Sequence, residues 1–216
     1  FNGKRPIDLG RPWNILDVNE FLIKKLKRKI SRKARIHKSA QIIGPVHIGQ
    51  GTIVYENAVI KGPVWIGKNC IIGTNCLIRN NSHVGDKAVI GSYCELKNTF
   101  VMEGTHIGHF SYVGDSVLAR NCRIGAHFVS ANRRLDRGDI CMLVKGRLRC
   151  TGRSSFGCVM GDNVHVGVDV VTNPGRFIGS NSAIGPGIVL ADNVDKNMYV
   201  VLKQDYVIKK HGGDVK

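Results

Sequence analysis

Aliphatic residues recur along most of this chain with a period of six. From Ile36 the steps fall on Ile42, Ile48, Val54, Ile60, Ile66, Ile72, Ile78, Val84, Ile90 and Leu96. Four residues after each come small or β-branched side chains: Ala40, Val46, Thr52, Ala58, Val64, Cys70, Cys76, Ser82, Ala88 and Cys94. Glycine follows the aliphatic position at Gly49, Gly67, Gly73, Gly85 and Gly91. An α-helix repeats every 3.6 residues and a strand every two, so neither produces this period. A hexad that makes one short strand and one turn does. Such hexads stack into a parallel β-helix, with the aliphatic side chains lined up inside a prism and the small residue near each corner.

The register slips by one residue after Leu96 and resumes at Val101, Ile107 and Val113. It slips again and continues at Leu118 and Ile124. Each slip reads as a five-residue hexad or a bulge. The repeat breaks near Ala131 and restarts at Met160, Val166, Thr172, Ile178, Ile184 and Leu190. Residues 131–158 are therefore an excursion, and its ICMLV and RLRCT runs about Lys145-Gly146 predict a hairpin. Long excursions from regular folds commonly carry function. Before the repeat, Ile15, Val18, Leu22, Leu26 and Ile30 share one helical face over residues 14–30, with Asp17 as N-cap and basic residues in the last turns. The division this gives is 1–34 as the end of a preceding domain plus a linking helix, 35–195 as the β-helix, and 196–216 as a tail that caps its open end. The first residue is Phe1, not Met, and we read the chain as part of something longer.

Charge changes the picture next. The formal net charge is +16 over 216 residues, which implies anionic partners. Nucleic-acid binders interleave basic residues with stacking aromatics. Here aromatics are only 6% and scattered, so nucleic acid ranks last among the partners. The basic residues concentrate at 24–38 and 133–153. The first run reads as a solvated helix face, and the second suits phosphate-bearing small molecules. Four of the seven cysteines, Cys70, Cys76, Cys94 and Cys122, occupy the small buried position of the repeat, and no CxxC occurs. Neither a metal nor a disulfide is expected, and a reducing cytoplasm fits. No apolar run is long enough to span a membrane, so a membrane partner is not expected.

Three stretches carry a resemblance. PIDLGRPWNILDVNEFL (6–22) resembles the end of a sugar-1-phosphate nucleotidylyltransferase domain. ELKNTFVMEGTHIGHFSYVGDS (95–116) resembles the active-site coil in the acetyltransferase half of the bifunctional enzymes that make UDP-N-acetylglucosamine. VKGRLRCTGRSSFGCVMGDNVHVGVDVVTNPGRFIG (144–179) is similar to the archaeal-type sugar-1-phosphate nucleotidylyltransferase/acetyltransferases. The resemblance implies an all-β, left-handed parallel β-helix. It also implies acetyl-CoA as co-substrate, an amino-sugar-1-phosphate (glucosamine- or galactosamine-1-phosphate) as acceptor, no metal, and a homotrimer with CoA lying between subunits.

By the same match His109 is the general base, a role that imidazole fills without tuning. The alternative for it is an exposed turn residue. Arg79 falls where the family grips phosphate, with Lys97 one coil away. Glu95 is placed to orient the amine or a neighbouring lysine. Tyr112 matches a contact to sugar phosphate, and Asn132 one to the acceptor near the acyl group. Lys145, Arg147 and Arg153 are candidates for phosphates of either substrate. Val168, Pro186 and Gly187 would line the pantetheine arm. For each of these the competing reading is a solvated repeat surface. Three departures stand against the pattern: GAHF (125–128) where the family has GAGT, Arg123 where it has Asn, and GRSSFG (152–157) where it has GRRKLG. His127 and Phe128 are expected to narrow the acyl pocket. The second functional reading is therefore a non-catalytic oligomerisation or regulatory β-helix of a sugar-1-phosphate nucleotidylyltransferase.

Overall fold

A computed structural model describes residues 9–208 apart from Lys145. The hexads form a left-handed parallel β-helix with three flat faces. Face 1 has 8 strands beginning with Lys29–Ile30, face 2 has 9 beginning with Arg35–Ile36, and face 3 has 8 beginning with Gln41–Ile43. Every ladder within these faces is parallel and joins successive turns, as in Glu95↔Leu77 and Glu95↔Tyr112 on face 3. The predicted aliphatic ladder is the core: Ile48, Ile60, Ile66, Ile72, Ile78, Ile90, Leu96, Ile107 and Leu118 are fully buried. Each contributes about 1.5–3 kcal/mol by leaving water. Cys70, Cys76, Cys94 and Cys122 are buried at the small positions as free thiols.

Corners turn through the left-handed region. Asn57, Asn69, Asn75, Asn121, Asn163 and Asn181 take it repeatedly, since a short polar side chain tolerates positive φ. Both five-residue slips pass through such a corner residue, Asn98 and Asp115.

The helix is shorter than its pattern. It spans Asn14–Ile23, its N-cap position is Trp13, and no side chain caps it. Asp17 lies inside the first turn, where it accepts from Asn14 Nδ2 at 3.0 Å. The predicted N-cap role for Asp17 and the basic last turn are thus overturned. Tertiary pairing decides the end: Lys29–Ile30 is drawn into face 1 against His47–Ile48. The basic run 24–38 consequently lies on the first turn of the solenoid, not on a helix. Leu16, Asn19 and Ile23 are the buried helix face, and Asn19 Nδ2 donates to the Asn81 carbonyl at 2.6 Å. Ile15, Val18, Leu22 and Leu26 instead border an apolar groove of about 530 Å³ against Trp65, His83, Phe100 and Met102 of face 1.

The excursion is a hairpin, Cys141–Val144 against Arg147–Cys150, with Gly146 at φ +72 in the turn. Its antiparallel register sets Cys141 opposite Cys150, and the two form a disulfide. This overturns the expectation of none: the pairing comes from cross-strand register, which a spacing of nine residues does not advertise. The helix and the excursion share a second core on the outside of face 1, built from Trp13, Leu16, Val117, Ile140, Met142, Phe156 and Val159. At the far end Tyr199–Val200 adds a strand to face 2 beside Ala183–Ile184. Among the described residues no helix is long and apolar enough to cross a membrane.

Candidate active site

The corner between faces 2 and 3 is where chemistry collects. Around these residues the coils reach it through a glycine and two turn residues: Gly91-Ser92-Tyr93, Gly108-His109-Phe110, Gly125-Ala126-His127, Gly167-Val168-Asp169 and Gly185-Pro186-Gly187. The glycines are required by close stacking. A methyl on Gly108 would lie 2.6 Å from the Ala126 nitrogen, and one on Gly91 would lie 2.7 Å from that of His109. The backbone ladder along the corner runs Phe110 N–H to the Ser92 carbonyl at 3.0 Å and His127 N–H to the His109 carbonyl at 2.9 Å.

His109 is exposed at this corner, and its Nδ1 accepts the Ser92 backbone N–H at 2.8 Å. A backbone amide cannot act as acceptor, so the neutral ring carries its proton on Nε2. Its outward nitrogen is then a hydrogen-bond donor.

Beside it, the three-residue strands of face 3 carry the remaining candidates. Arg79 binds Glu95 through Nε at 2.8 Å and Nη2 at 2.7 Å, both to Oε1. Glu95 therefore orients Arg79, not a lysine. Lys97 Nζ lies 3.1 Å from Asp115 Oδ2. Asp115 is 4% exposed, and its carboxylate accepts from two more donors, Asn132 Nδ2 at 2.5 Å and Asn98 Nδ2 at 2.7 Å, while its backbone N–H donates to the Lys97 carbonyl at 2.8 Å. Asn132 Nδ2 also donates to the Tyr112 hydroxyl at 3.2 Å. A side chain at Gly114 would prevent this meeting, since a Cβ there would lie 2.5 Å from that hydroxyl. The returning excursion braces the knot: Phe156 N–H reaches the Asn132 carbonyl and Gly157 N–H the Asp115 carbonyl, both at 2.9 Å. Lys97, Tyr112 and Asn132 thus form one hydrogen-bonded unit around Asp115, with Arg79 and Glu95 paired on the neighbouring coils. Asp115 went unassigned in the sequence, although it stands in YVGDS beside the second slip.

Other candidates lie elsewhere. Arg153 is paired with Asp17 and fastens the excursion to the helix, with its side chain 19% exposed. Arg147 is exposed on the hairpin, and Lys145 lies outside the described residues. Val168, Pro186 and Gly187 are exposed on the same corner as His109, on later coils. Arg123 points outward from face 2, where its Nη1 lies 3.5 Å from His106 Nδ1. The GAHF departure divides. Phe128 is fully buried inside the prism and narrows no acyl pocket. His127 is exposed on the corner, with Nδ1 3.0 Å from Asp169 Oδ1. Among the described residues no group of His, Cys, Asp or Glu could hold a metal ion.

A family model described as GMPPB C-terminal domain matches residues 60–176. The chain belongs to the GMPPB C-terminal domain family. Among curated relatives, it is 46% identical over 203 residues to the "Bifunctional protein GlmU" of Methanococcus maripaludis (strain C7), covering 94% of this chain and 49% of that one. It is 36% identical over 188 residues to the "Bifunctional sugar-1-phosphate nucleotidylyltransferase/acetyltransferase" of Sulfurisphaera tokodaii, covering 87% and 47%. The chain thus spans about half the length of the curated relatives it matches. Among solved structures, the UDP-N-acetylglucosamine acyltransferase from Campylobacter jejuni superimposes with a TM-score of 0.53 at 14% identity, over 77% of this chain and 68% of that one. For this member of the GMPPB C-terminal domain family, that likeness establishes the β-helix fold.

Proposed function

We propose that this β-helix transfers the acetyl group of acetyl-CoA to the amine of an amino-sugar-1-phosphate, within a longer protein that also carries sugar-1-phosphate nucleotidylyltransferase activity. The observation that carries the reading is the Lys97–Asp115–Asn132–Tyr112 knot in the His109 coil and its neighbours. It presents a cation, a hydroxyl and an amide to one side of the corner, which is what a phosphorylated sugar needs. The names of the relatives, which pair nucleotidylyltransferase with acetyltransferase, support it.

In this reading Arg79 and Lys97 take the acceptor phosphate, with Glu95 holding Arg79 in place. Tyr112 and Asn132 take the sugar. Val168, Pro186 and Gly187 line the pantetheine arm of acetyl-CoA, and Arg147 or Lys145 meets a phosphate. Arg153, already paired, serves mainly to fix the excursion. His109 faces the reacting carbonyl. No step uses a metal. The corner is open, so a second copy completes each site and the assembly is a homotrimer. Five of the seven cysteines are buried free thiols, and we keep the cytoplasm as the compartment.

The test is thiol release from acetyl-CoA with a panel of hexosamine-1-phosphates and hexosamines, beside light scattering for oligomeric state. Turnover that requires the 1-phosphate is expected from a trimer. A folded trimer that releases no thiol with any acceptor would leave the non-catalytic oligomerisation reading.

A further inference from the structure

The basic stretch 133–153 is only partly used by the reading above. Where the excursion leaves face 3, at the corner between faces 3 and 1, it walls a cavity of about 630 Å³. Small-molecule pockets run from about 300 to 1,000 Å³, so a nucleotide fits. Three arginines line it, Arg133, Arg134 and Arg176. Arg134 is taken up by Asp136, through Nε to Oδ1 at 2.8 Å and Nη2 to Oδ2 at 2.5 Å. The other two are held by neutral groups. Arg133 Nε donates to Ser155 Oγ at 3.0 Å. Half-buried Arg176 donates through Nε to the Pro174 carbonyl at 3.3 Å and through Nη1 to the Ala191 carbonyl at 3.1 Å. Asp192 and Asp195 border a second cavity on the other side of Arg176, and neither pairs with it. Among the described residues no carboxylate pairs with Arg133 or Arg176, so the pocket carries two uncompensated positive charges.

The walls of this pocket are fixed. Gly175, at φ +73, lets the excursion close on the coil, since a Cβ there would lie 2.7 Å from Ile140 Cγ2 and 3.1 Å from the Cys141 carbonyl oxygen. Its N–H meets the Gly157 carbonyl at 2.6 Å, and Ile140 N–H meets that of Arg153 at 2.9 Å. Ile140, Pro174 and Ala191 supply an apolar wall. The pocket is also separate from the sugar-binding knot. Asn132 turns its side chain to Tyr112 and Asp115, while its neighbours Ala131 and Arg133 line the pocket. Ladder register sets Ala131 two rungs beyond Lys97, about 10 Å away, too far for one phosphate to touch both. We propose that this pocket binds the diphosphate of a nucleotide, either free or as the nucleotide end of CoA. Arg133 and Arg176 grip the anion through the guanidinium nitrogens their protein bonds leave over. The apolar wall and a guanidinium plane take the base. The inference stands apart from the acetyl-transfer reading.

The test is isothermal titration of the full chain with ADP and UDP, which differ in base, and with adenosine and uridine. Saturable binding of one diphosphate per chain is expected, with no binding of the nucleosides. Arg133→Gln and Arg176→Gln should each weaken it about tenfold or more, because each removes charge-assisted hydrogen bonds. Lys97→Met, in the knot, should leave it unchanged. A thermal scan of each variant checks folding, and exposed Arg133 is the substitution that the fold tolerates even if Arg176→Gln disturbs it. Titration with ADP in the presence of CoA distinguishes the sources. Displacement by CoA, weakened by the same two substitutions, assigns the pocket to the nucleotide end of CoA. ADP binding that CoA leaves untouched assigns it to a free nucleotide. A chain that binds none of ADP, UDP and CoA overturns the proposal, and so does binding that both arginine variants keep at wild-type affinity. A chain that releases no thiol with any acceptor yet binds ADP through Arg133 loses the acetyl-transfer reading and keeps this one.

Discussion

The solenoid and the helix–excursion unit are held together on different principles. Inside the prism each aliphatic residue touches its equivalents one coil up and one coil down, and stability accumulates along a line. Outside face 1, Trp13 and Leu16 from before the repeat meet Ile140, Met142 and Phe156 from the excursion in one cluster with no period. The first arrangement is redundant, because any one coil resembles the next. The second depends on a few large side chains that nothing replaces. The candidate corner draws on both: its ladder is solenoid, and its knot is braced by the returning excursion.

Phe156→Ala should separate them most sharply. Removing this fully buried ring is expected to cost about 4 kcal/mol. Helix and hairpin should detach while the β-helix persists, giving two unfolding transitions in a thermal scan instead of one. Ile90→Ala, in the middle of the ladder, should cost about 3 kcal/mol and lower the solenoid transition itself.

Acid should find the seam between the two. His83 lies in a ring stack on the outer surface of face 1, 4.3 Å from Phe100 and 6.3 Å from Trp65 by centroid. Burial pushes its pKa down to about 4, against a smaller opposing pull from Asp86. As pH falls below about 6.5 the unfolded chain takes up a proton that the folded ring refuses, so stability falls until pH reaches about 4. The loss should be about 2–3 kcal/mol, read as a urea midpoint that drops between pH 7.5 and 4.5 in the wild type and drops less in His83→Phe.

Reduction acts on the excursion alone. The Cys141–Cys150 bridge closes a short loop, and opening it should lower local stability by about 2 kcal/mol, seen as faster amide exchange in residues 141–150 with unchanged exchange in the ladder. Arg153→Met should have the smallest effect, about 1 kcal/mol on the docked state, because its partner Asp17 keeps access to water.

What was legible in the sequence follows the same division. The ladder from Ile36 to Leu190, both slips and the hairpin about Gly146 could be read directly, because a period imposes itself locally. The disulfide, the early end of the helix at Ile23 and the Arg153–Asp17 pair could not, since each depends on segments far apart in the chain meeting outside the prism. The corner was half legible. Its residues stood in the resembling coil, but their partners come from other coils. The Ser92 N–H that meets His109 comes from the coil before it, and the Asp169 beside His127 from beyond the excursion. Asp115 was passed over because a carboxylate among predicted phosphate binders has no obvious use until Lys97, Asn98 and Asn132 are seen to share it.

Across the excursion, Val117–Leu118 pairs directly with Val159–Met160, as though residues 131–157 were absent. The scaffold therefore carries its accessory segment as a graft: both stumps emerge at one corner, and the rungs on either side keep their spacing. Lineages could lengthen, shorten or exchange that segment, and with it the bracing of Asn132 and Asp115, without altering a single rung of the ladder. Divergence in what the corner accepts can then proceed through a loop while the β-helix that supports it stays fixed.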